Sequence, residues 1–400
     1  MMENVSMMQN LKSYENALKE NYLPVWNNQL AIDPSPFMAK VRKVPLKGNK
    51  IVATAPIGLS GGFGFGAEGS PTPTAGNVKM EKFVVDAKDM YVNVGISVKA
   101  VRTTGDSGAM ANALDVEVKG AYDTAKWNVG RALFGNGKGI LATVTASSGA
   151  TTTLDVNDCK FLKEGLIVDV YENDGELPVS GGERRRIIAV DRINKKVLLS
   201  GAAQSWNAGF ITVQNSYNRE ITGLGAIMDE DIKTLYGVDR TSNPYMNPIS
   251  MNAGNDIDDG IITKVLRRAQ NEKGSNIDTL LCGDAAFDHY VTYLRTNNIR
   301  VEDMSKTIAG GFKAIKFVFG NHEVDVVNES FVPETEMWGV DTTKCALHMQ
   351  DWEFAELQGG GIFNLVEGES LYRALLANYG DLICENPGGC VRLYNVGYQA

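Results

Sequence analysis

The feature that most constrains this chain is a long amphipathic helix, which we predict to run from about Asp106 to Phe134. Thr104 and Asp106 can cap its first turn, and the glycine-rich residues 135–139 end it. At about 1.5 Å per residue the helix would be roughly 40 Å long, which is long for a compact domain. Its apolar residues share one stripe and are predicted to pack on protein: Met110, Leu114, Val118, Ala121, Ala125 and Val129.

Residues 1–55, before this helix, are predicted to form an extended N-terminal arm with little core of its own. Four prolines keep its second half extended. Its first half has apolar residues near helical spacing, which predicts a short helix lying on a neighbouring surface. These residues are Leu11, Tyr14, Leu18 and Tyr22.

Residues 56–104 are predicted to be a long projecting loop. Glycines crowd residues 58–69, which predicts an exposed, flexible segment. Two β-rich runs follow, 78–85 and 89–101, and the second alternates between apolar and polar residues. We expect the two runs to pair with each other. A lone hairpin is marginally stable in water, so this projection also needs a partner surface.

The rest of the chain divides by pattern into three segments. Residues 141–220 show short strands separated by turns, which predicts an inserted, barrel-like β domain. Residues 221–370 mix strands with amphipathic helices, and residues 371–400 are predicted to be terminal strands. The fold class predicted for the whole chain is therefore α+β.

The search for catalytic, metal or cofactor motifs gives no candidate. The glycines of residues 135–139 follow a helix instead of a strand, so they do not fit a dinucleotide loop. No phosphate-binding P-loop motif occurs, and none of the three histidines lies in a zinc-protease pattern. The five cysteines form no Cys-x-x-Cys pair and are interpreted as reduced thiols. We expect no cofactor and no enzymatic activity.

Composition excludes two further classes of protein. The formal net charge of −9 argues against a protein that coats DNA, because phosphate binding needs an excess of Lys and Arg. No stretch approaches the roughly 20 apolar residues that span a bilayer. What remains is an arm, a projection and an overlong helix, and all three need neighbours to bury their apolar surfaces.

In this order of parts the chain resembles the major capsid proteins of tailed double-stranded DNA phages, which have the Hong Kong ninety-seven fold. The resemblance is carried by residues 99–109 leading into the helix, by the stop at residues 135–137, and by residues 218–224 and 235–240. Residues 379–382 with Asn386 and Pro387 resemble the return strand of that family. The resemblance covers residues 1–140 and 215–400, and the β-rich block between them is interpreted as an accessory insertion.

The resemblance implies a structural role for each segment of the chain. Residues 1–55 would be the N-terminal arm, 56–104 the E-loop hairpin, 105–140 the spine helix of the peripheral domain, 221–370 the axial domain and 371–400 the return strands to the peripheral domain. The arm residues above and the loop tip would contact neighbouring subunits. The tip residues predicted for this contact are Gly61, Phe63, Phe65 and Gly66.

By the same resemblance the chain would self-assemble into hexamers and pentamers of an icosahedral virion shell. The shell would enclose double-stranded DNA without reading its sequence, would have no membrane, and would be assembled in the bacterial host cytoplasm. A portal protein is implied. A separate scaffolding protein is also implied, because no long helical segment precedes the arm, and decoration or cement proteins are compatible with it.

Two alternatives remain open from the sequence. One is an encapsulin-like nanocompartment shell with the same fold, which would need a groove for cargo peptides. The other is a compact α+β enzyme or binding module that uses the barrel at residues 141–220. The second alternative predicts a soluble monomer, whereas both shell hypotheses predict large particles.

Overall fold

The computed structural model describes residues 35–56, 60–69, 71–99, 107–173, 175–297, 305–308, 311–356, 361–366 and 368–397. The side chains of Pro56, Ile96 and residues 107–116 lie outside this description. The chain divides into two compact units, one formed by residues 1–130 with 225–400 and the other by residues 131–224. The arm residues Leu11, Tyr14, Leu18 and Tyr22 lie outside the described residues.

Five α-helices occur in the described residues: α1 (Pro36–Lys40), α2 (Ser107–Leu133), α3 (Leu224–Met228), α4 (Asp259–Lys273) and α5 (Asp284–Thr296). The strands in chain order are β1 (Arg42–Pro45), β2 (Lys50–Pro56), β3 (Met80–Asp86), β4 (Lys88–Ser97), β5 (Ile140–Val144), β6 (Thr153–Asp155), β7 (Ile167–Glu172), β8 (Arg185–Asp191), β9 (Lys196–Leu199), β10 (Gly209–Val213), β11 (Thr234–Leu235), β12 (Val238–Asp239), β13 (Ile249–Asn252), β14 (Thr279–Cys282), β15 (Ser305–Thr307), β16 (Lys313–Phe319), β17 (His322–Asn328), β18 (Met337–Val340), β19 (Cys345–Met349), β20 (Glu353–Phe354), β21 (Phe363–Leu365), β22 (Leu371–Cys384) and β23 (Val391–Tyr394).

The first unit contains a seven-stranded mixed sheet in the order β13-β23-β18-β14-β17-β16-β15. Helices α4 and α5 cover one of its faces, because their apolar residues join the same buried cluster as alternate residues of the strands. The Asp258 carboxylate caps α4 by accepting the Ile261 N–H at 2.6 Å, and Gly274 ends the helix in the left-handed region.

A second sheet of this unit is built around the long strand β22. One edge of β22 pairs in succession with β19, β20 and β21, and the other edge pairs with β4 over ten residues. Strand β1 pairs with β19 in parallel and completes the six-stranded sheet. Apolar residues alternate with polar ones in β4 because only one of its faces is buried.

The strand partners correct one prediction. The runs 78–85 and 89–101 do not pair with each other: β3 pairs with β2, and β4 pairs with β22. Only Ala87 separates β3 from β4, and one residue is too short for a hairpin turn, which needs at least two. The hairpin therefore has β2 and β3 as its arms, and it begins at Lys50, inside the predicted arm 1–55, and not at residue 56.

The sheets also divide the C-terminal part of the chain differently from a boundary at residue 370. Strand β19, before that boundary, lies in the six-stranded sheet with β22. Strand β23, after it, lies in the seven-stranded sheet between β13 and β18. The chain crosses between the two sheets at residues 385–390, which include the short 3-10 helix Pro387–Gly389.

Lys40 connects elements of the two sheets. It ends α1, directly before β1, and its ammonium donates to Thr279 Oγ1 at 2.6 Å and to Asp325 Oδ2 at 2.7 Å. Lys306 donates to the other oxygen of Asp325 at 3.1 Å. Burial opposes ionisation of the Asp325 carboxyl, but these hydrogen bonds outweigh it and hold its pKa below the ordinary value.

The second unit, residues 131–224, contains a six-stranded antiparallel sheet in the order β5-β10-β7-β8-β9-β6. The two ends of this order meet, because Val144 and Val156 form a bridge and the Thr145 N–H donates to the Asp155 carbonyl at 3.0 Å. The sheet is thus closed into a small barrel. Its interior is filled by fourteen buried residues that include Leu162, Ile211 and Trp206.

Candidate subunit interface

The hairpin β2–β3 has one buried face and one exposed face. Seven residue pairs join the strands, from Lys50 opposite Asp86 to Pro56 opposite Met80. Ile51, Phe83 and Val85 lie on the same face and are buried, whereas Val52 on the opposite face is 53% exposed. A hairpin that alternates in this way has its base fixed against protein while its second face is open to a partner.

A two-residue turn from elsewhere in the unit holds the base of this hairpin. Tyr236 and Gly237 both have positive φ between β11 and β12, as a type I′ turn requires. The Val84 N–H donates to the Tyr236 carbonyl at 3.0 Å, and the Phe83 and Tyr236 rings lie 5.7 Å apart. The Tyr236 hydroxyl accepts the Cys384 N–H, and burial raises its pKa well above the ordinary value, so it stays protonated.

Arg240, directly after β12, is a buried cation that stabilises the same region. Its guanidinium donates to the carbonyls of Ala226, Ile227 and Asp229 at 3.2, 2.9 and 2.8 Å, and to Asn247 Oδ1 at 3.0 Å. Two of these carbonyls belong to the last turn of α3, which otherwise lacks partners for its C-terminal oxygens. Burial lowers the pKa of Arg240.

The tip of the hairpin, residues 60–79, lacks helix and strand in its described part. Its two sides meet where Ser60 Oγ donates to the Gly76 carbonyl at 2.8 Å. A Cβ at Gly76 would lie 2.5 Å from the Gly61 nitrogen, so this close approach requires glycine. The tip therefore has a narrow neck, and the residues between Gly62 and Gly76 project beyond it.

Two aromatic side chains project from the tip. Phe63 is 80% exposed and Phe65 is 97% exposed, and their rings contact edge to face with centroids 5.2 Å apart. Gly61 and Gly66, predicted with them, are exposed as well. Large apolar residues presented on a projecting segment are typical of binding anchors, because burying each of them in a partner is favourable by a few kcal/mol.

The described part of helix α2 shows where the predicted packing residues lie. Val118, Ala125 and Val129 are buried, and Ala121 is half-buried. The side chains of Met110 and Leu114 lie outside the described residues. Sequence reasoning missed Tyr122, which is buried at the position next to Ala121 and continues the helical spacing from Val118 to Ala125.

Three further observations on the described residues concern cysteines, metal-binding groups and membrane-spanning helices. The five cysteines are buried and form no disulfide, and the sulfurs of Cys384 and Cys390 lie 3.9 Å apart. No group of His, Cys, Asp and Glu side chains suitable for a metal ion occurs within the described ranges. In those ranges no helix combines the length and the apolar character needed to cross a membrane.

No family model matches the sequence. None of the curated proteins compared with it matches either.

Solved structures do match. The capsid asymmetric unit of cyanophage A-1(L) aligns with 91% of this chain and 93% of its own, with a TM-score of 0.51 and 11% identity. The capsid of a native GTA particle aligns with 92% and 91%, with a TM-score of 0.46 and 8% identity. The holo-SrpI encapsulin complex from Synechococcus elongatus aligns with 90% and 88%, with a TM-score of 0.44 and 9% identity.

The chain therefore has the α+β fold of a capsid subunit, and its described part contains a projecting hairpin, a long helix, two large sheets and a small barrel. More specifically, the chain has the fold of tailed-phage major capsid proteins, the Hong Kong ninety-seven fold predicted from the sequence.

Proposed function

We propose that this chain is a major capsid protein, which self-assembles into the icosahedral shell that encloses phage genomic DNA. One observation carries the proposal: nine-tenths of the chain shares its fold with a cyanophage capsid subunit that is matched over nine-tenths of its own length. Such coverage in both directions means that the two chains share one architecture over nearly all of the aligned length.

In this function the projecting hairpin contacts a neighbouring copy. Phe63 and Phe65 are the anchors, and the narrow neck at Gly76 allows the tip to adapt while the base stays attached to Tyr236. The arm supplies a second contact through Leu11, Tyr14, Leu18 and Tyr22. Six copies form a hexamer and five a pentamer, with helix α2 as a rigid element of each subunit.

The remaining partners and the location follow from the same proposal. A portal protein occupies one vertex, a separate scaffolding protein guides assembly, and decoration or cement proteins can bind the outer surface. The shell is assembled in the bacterial host cytoplasm and becomes the virion capsid. Residues 131–224 contain the inserted domain, whose barrel has an interior of buried, mostly apolar side chains.

Electron microscopy of the purified full-length protein tests the proposal. We expect closed or partly closed shells, either alone or with a scaffolding protein from the same genome. A monomer that stays monomeric at high concentration with every scaffold tried would contradict it. Shells isolated from cells distinguish the two shell functions, since phage DNA inside supports the capsid and a protein cargo supports the nanocompartment alternative.

A further inference from the structure

Three of the five buried cysteines lie together where the chain passes between the two large sheets. Cys345 in β19 and Cys384 in β22 are directly opposite each other, and Cys390 lies just before β23. The sulfurs of Cys384 and Cys390 are 3.9 Å apart, which is close to van der Waals contact. Each of the three residues is at most 1% exposed. Cys384 is thus the central member of a buried cluster of three thiols.

Strand pairing brings Cys345 to Cys384. The Glu385 N–H donates to the Lys344 carbonyl at 2.9 Å, so these two residues form a hydrogen-bonded pair. The next pair along the ladder, Cys345 with Cys384, is consequently non-hydrogen-bonded. In agreement, the Cys384 N–H points away from β19 and donates to the Tyr236 hydroxyl. Side chains of a non-hydrogen-bonded pair lie on the same face of the sheet and approach closely, so the two thiols meet.

A tight turn brings the third thiol to the same place. The 3-10 helix Pro387–Gly389 folds the chain back, and the Cys390 N–H closes the turn by donating to the Pro387 carbonyl at 3.2 Å. A Cβ at Gly388 would overlap the Tyr245 carbonyl oxygen, so the turn is packed tightly against its surroundings. The chain leaves the six-stranded sheet and enters the seven-stranded sheet through this turn. A covalent bond across the turn would close it into a ring.

Hydrogen bonds make Cys384 the thiol that ionises first. Its sulfur accepts from the thiols of Cys345 and Cys390 and from the Asn386 N–H, and these bonds hold the pKa of this thiol well below its ordinary value. Burial and the Asp341 carboxylate act in the opposite direction and are outweighed. Donation to Cys384, together with burial, raises the pKa of the other two thiols, which keep their protons. The thiolate is the nucleophilic form of cysteine, so Cys384 is the attacking sulfur.

We propose that Cys384 and Cys390 form a disulfide within the subunit when the folded protein meets hydrogen peroxide, and that this bond fixes the turn between the two sheets. The Cys384 thiolate attacks one peroxide oxygen and the O–O bond breaks, which leaves a sulfenic acid. The released hydroxide takes up the proton that the thiol had lost and becomes water. Cys390 then attacks the Cys384 sulfur, the S–O bond breaks, and the proton of Cys390 joins the departing hydroxide. Each sulfur loses one electron, and the peroxide gains two and becomes two waters.

Cys345 is the competing partner for Cys384. The Cα atoms of a non-hydrogen-bonded pair lie about 4.5 Å apart, which is near the lower limit for a disulfide. A bond between these two residues would therefore strain two strands that the ladder holds in place. Cys390 is not paired with β22, so the geometry of the ladder does not limit its approach to Cys384. The bond is consequently assigned to Cys384 and Cys390.

Peptide mapping of the full-length protein tests the assignment. The folded protein is treated with hydrogen peroxide, then denatured, alkylated and cleaved with trypsin. Cleavage after Arg373 places Cys345 on one peptide, whereas Cys384 and Cys390 stay together on the next. We expect this second peptide to lose two hydrogen atoms and to escape alkylation. A cross-link between the two peptides would assign the bond to Cys345 and overturn the proposed pairing.

Cys282 is the internal control for a buried thiol outside the cluster. It is fully buried, its thiol donates to the Leu280 carbonyl, and burial raises its pKa. We expect the disulfide to form at least about tenfold faster than Cys282 is oxidised. Leu177→Cys, at an exposed residue, shows that the oxidant is sufficient. Equal rates at Cys384 and Cys282, or an unreacted Cys384 beside an oxidised Leu177→Cys, would overturn the proposal.

Two substitutions and a melting curve give independent measurements. Cys390→Ser should abolish the loss of hydrogen, and Cys345→Ser should retain it; if Cys390→Ser does not fold, Cys345→Ser and the wild type still decide the pairing. The disulfide should raise the thermal midpoint of the unit that contains both sheets by about a few degrees, and a reductant should reverse the rise. An oxidised protein with an unchanged midpoint would show that the bond does not fix the turn. None of these measurements depends on particle formation, so their outcome is separate from that of the capsid proposal.

Discussion

The barrel of residues 131–224 and the hairpin β2–β3 are both antiparallel sheets, yet only the barrel is complete within its own chain. The barrel closes on itself through Val144 and Val156, and its buried residues form one core. The hairpin buries Phe83 at its base and leaves Phe65 almost fully exposed at its tip. A closed sheet has no free edge, whereas the hairpin offers both a face and a tip to another molecule. The difference indicates that the barrel is stabilised by its own residues, whereas the hairpin leaves apolar surface available for the subunit contact proposed above.

The largest effect is expected from breaking the buried ion pair of the barrel unit. The Arg131 guanidinium donates to both oxygens of Glu220, and both side chains are nearly inaccessible. Glu220→Gln should lower the free energy of unfolding by about 3–5 kcal/mol, because it leaves a buried cation without its anion. Chemical denaturation measures this loss. The double variant Arg131→Met/Glu220→Leu is the control and should recover most of it; equal losses in both would contradict the argument.

A slightly smaller effect is expected from the barrel core. Ile211 in β10 is fully buried. Ile211→Ala should cost about 2–5 kcal/mol through lost burial and the cavity left behind, and Ile211→Val about 0.5–1.5 kcal/mol. Both are measured by denaturant unfolding monitored through Trp206, which lies in the same cluster. If Ile211→Ala were as stable as the wild type, the barrel would not be the self-sufficient region of the molecule.

A third prediction concerns the stability at low pH of the unit that carries the hairpin. Because the pKa of Asp325 is held below its ordinary value, its ionised form stabilises the folded state above the unfolded-state pKa, and this contribution is lost as the pH falls through the lower folded-state pKa. Asp325→Asn should cost about 1–3 kcal/mol at neutral pH, by weakening hydrogen bonds from Lys40 and Lys306.

The measurement for Asp325 is the unfolding free energy from pH 7 to pH 2. The variant should show a shallower decline below about pH 4, since the group that links stability to protons there is absent. Asp86→Asn is the control, because its ion pair with Lys50 is exposed and contributes little. Parallel curves for Asp325→Asn and the wild type would show that Asp325 does not carry the acid response.

The smallest effect on stability, and the sharpest test of the comparison, is expected at the hairpin tip. Phe63→Ala/Phe65→Ala should change the free energy of unfolding by less than about 0.5 kcal/mol, because both rings are exposed in the subunit. Particle formation, measured by sedimentation, should nevertheless be lost. Leu177→Ala, at an exposed residue of the barrel unit, is the matched control and should assemble normally. Normal assembly of the Phe variant would remove the tip from the interface.

Local patterns predicted the elements of this fold well. The helix expected from Asp106 to Phe134 is observed from Ser107 to Leu133. Caps, glycine stops and alternation act over a few residues, so they can be recognised in a single sequence. The exposure of Phe63 and Phe65 could be predicted in the same way, since glycine on both sides of an aromatic residue indicates a projecting loop.

Strand partners and long-range polar contacts could not be predicted. Alternation in β4 indicates a half-buried strand, but nothing local identifies β22 as its partner far along the chain. Lys40 and Asp325 are likewise far apart in the sequence, and they come together only in the folded chain. Arg185 is similar. A run of three arginines at residues 184–186 is typical of a solvated surface. Arg185 is nevertheless buried and donates to three carbonyls beside Trp206.

The barrel unit begins and ends at nearly the same place. A Cβ at Gly223 would lie 2.4 Å from the Leu133 carbonyl oxygen, so the entering and leaving chain segments touch. A segment whose ends meet can be lengthened, replaced or removed without changing the distance that the rest of the chain must span. Residues 134–222 are therefore a segment that evolution or an engineer could replace with a foreign domain, which every copy of the subunit would then carry.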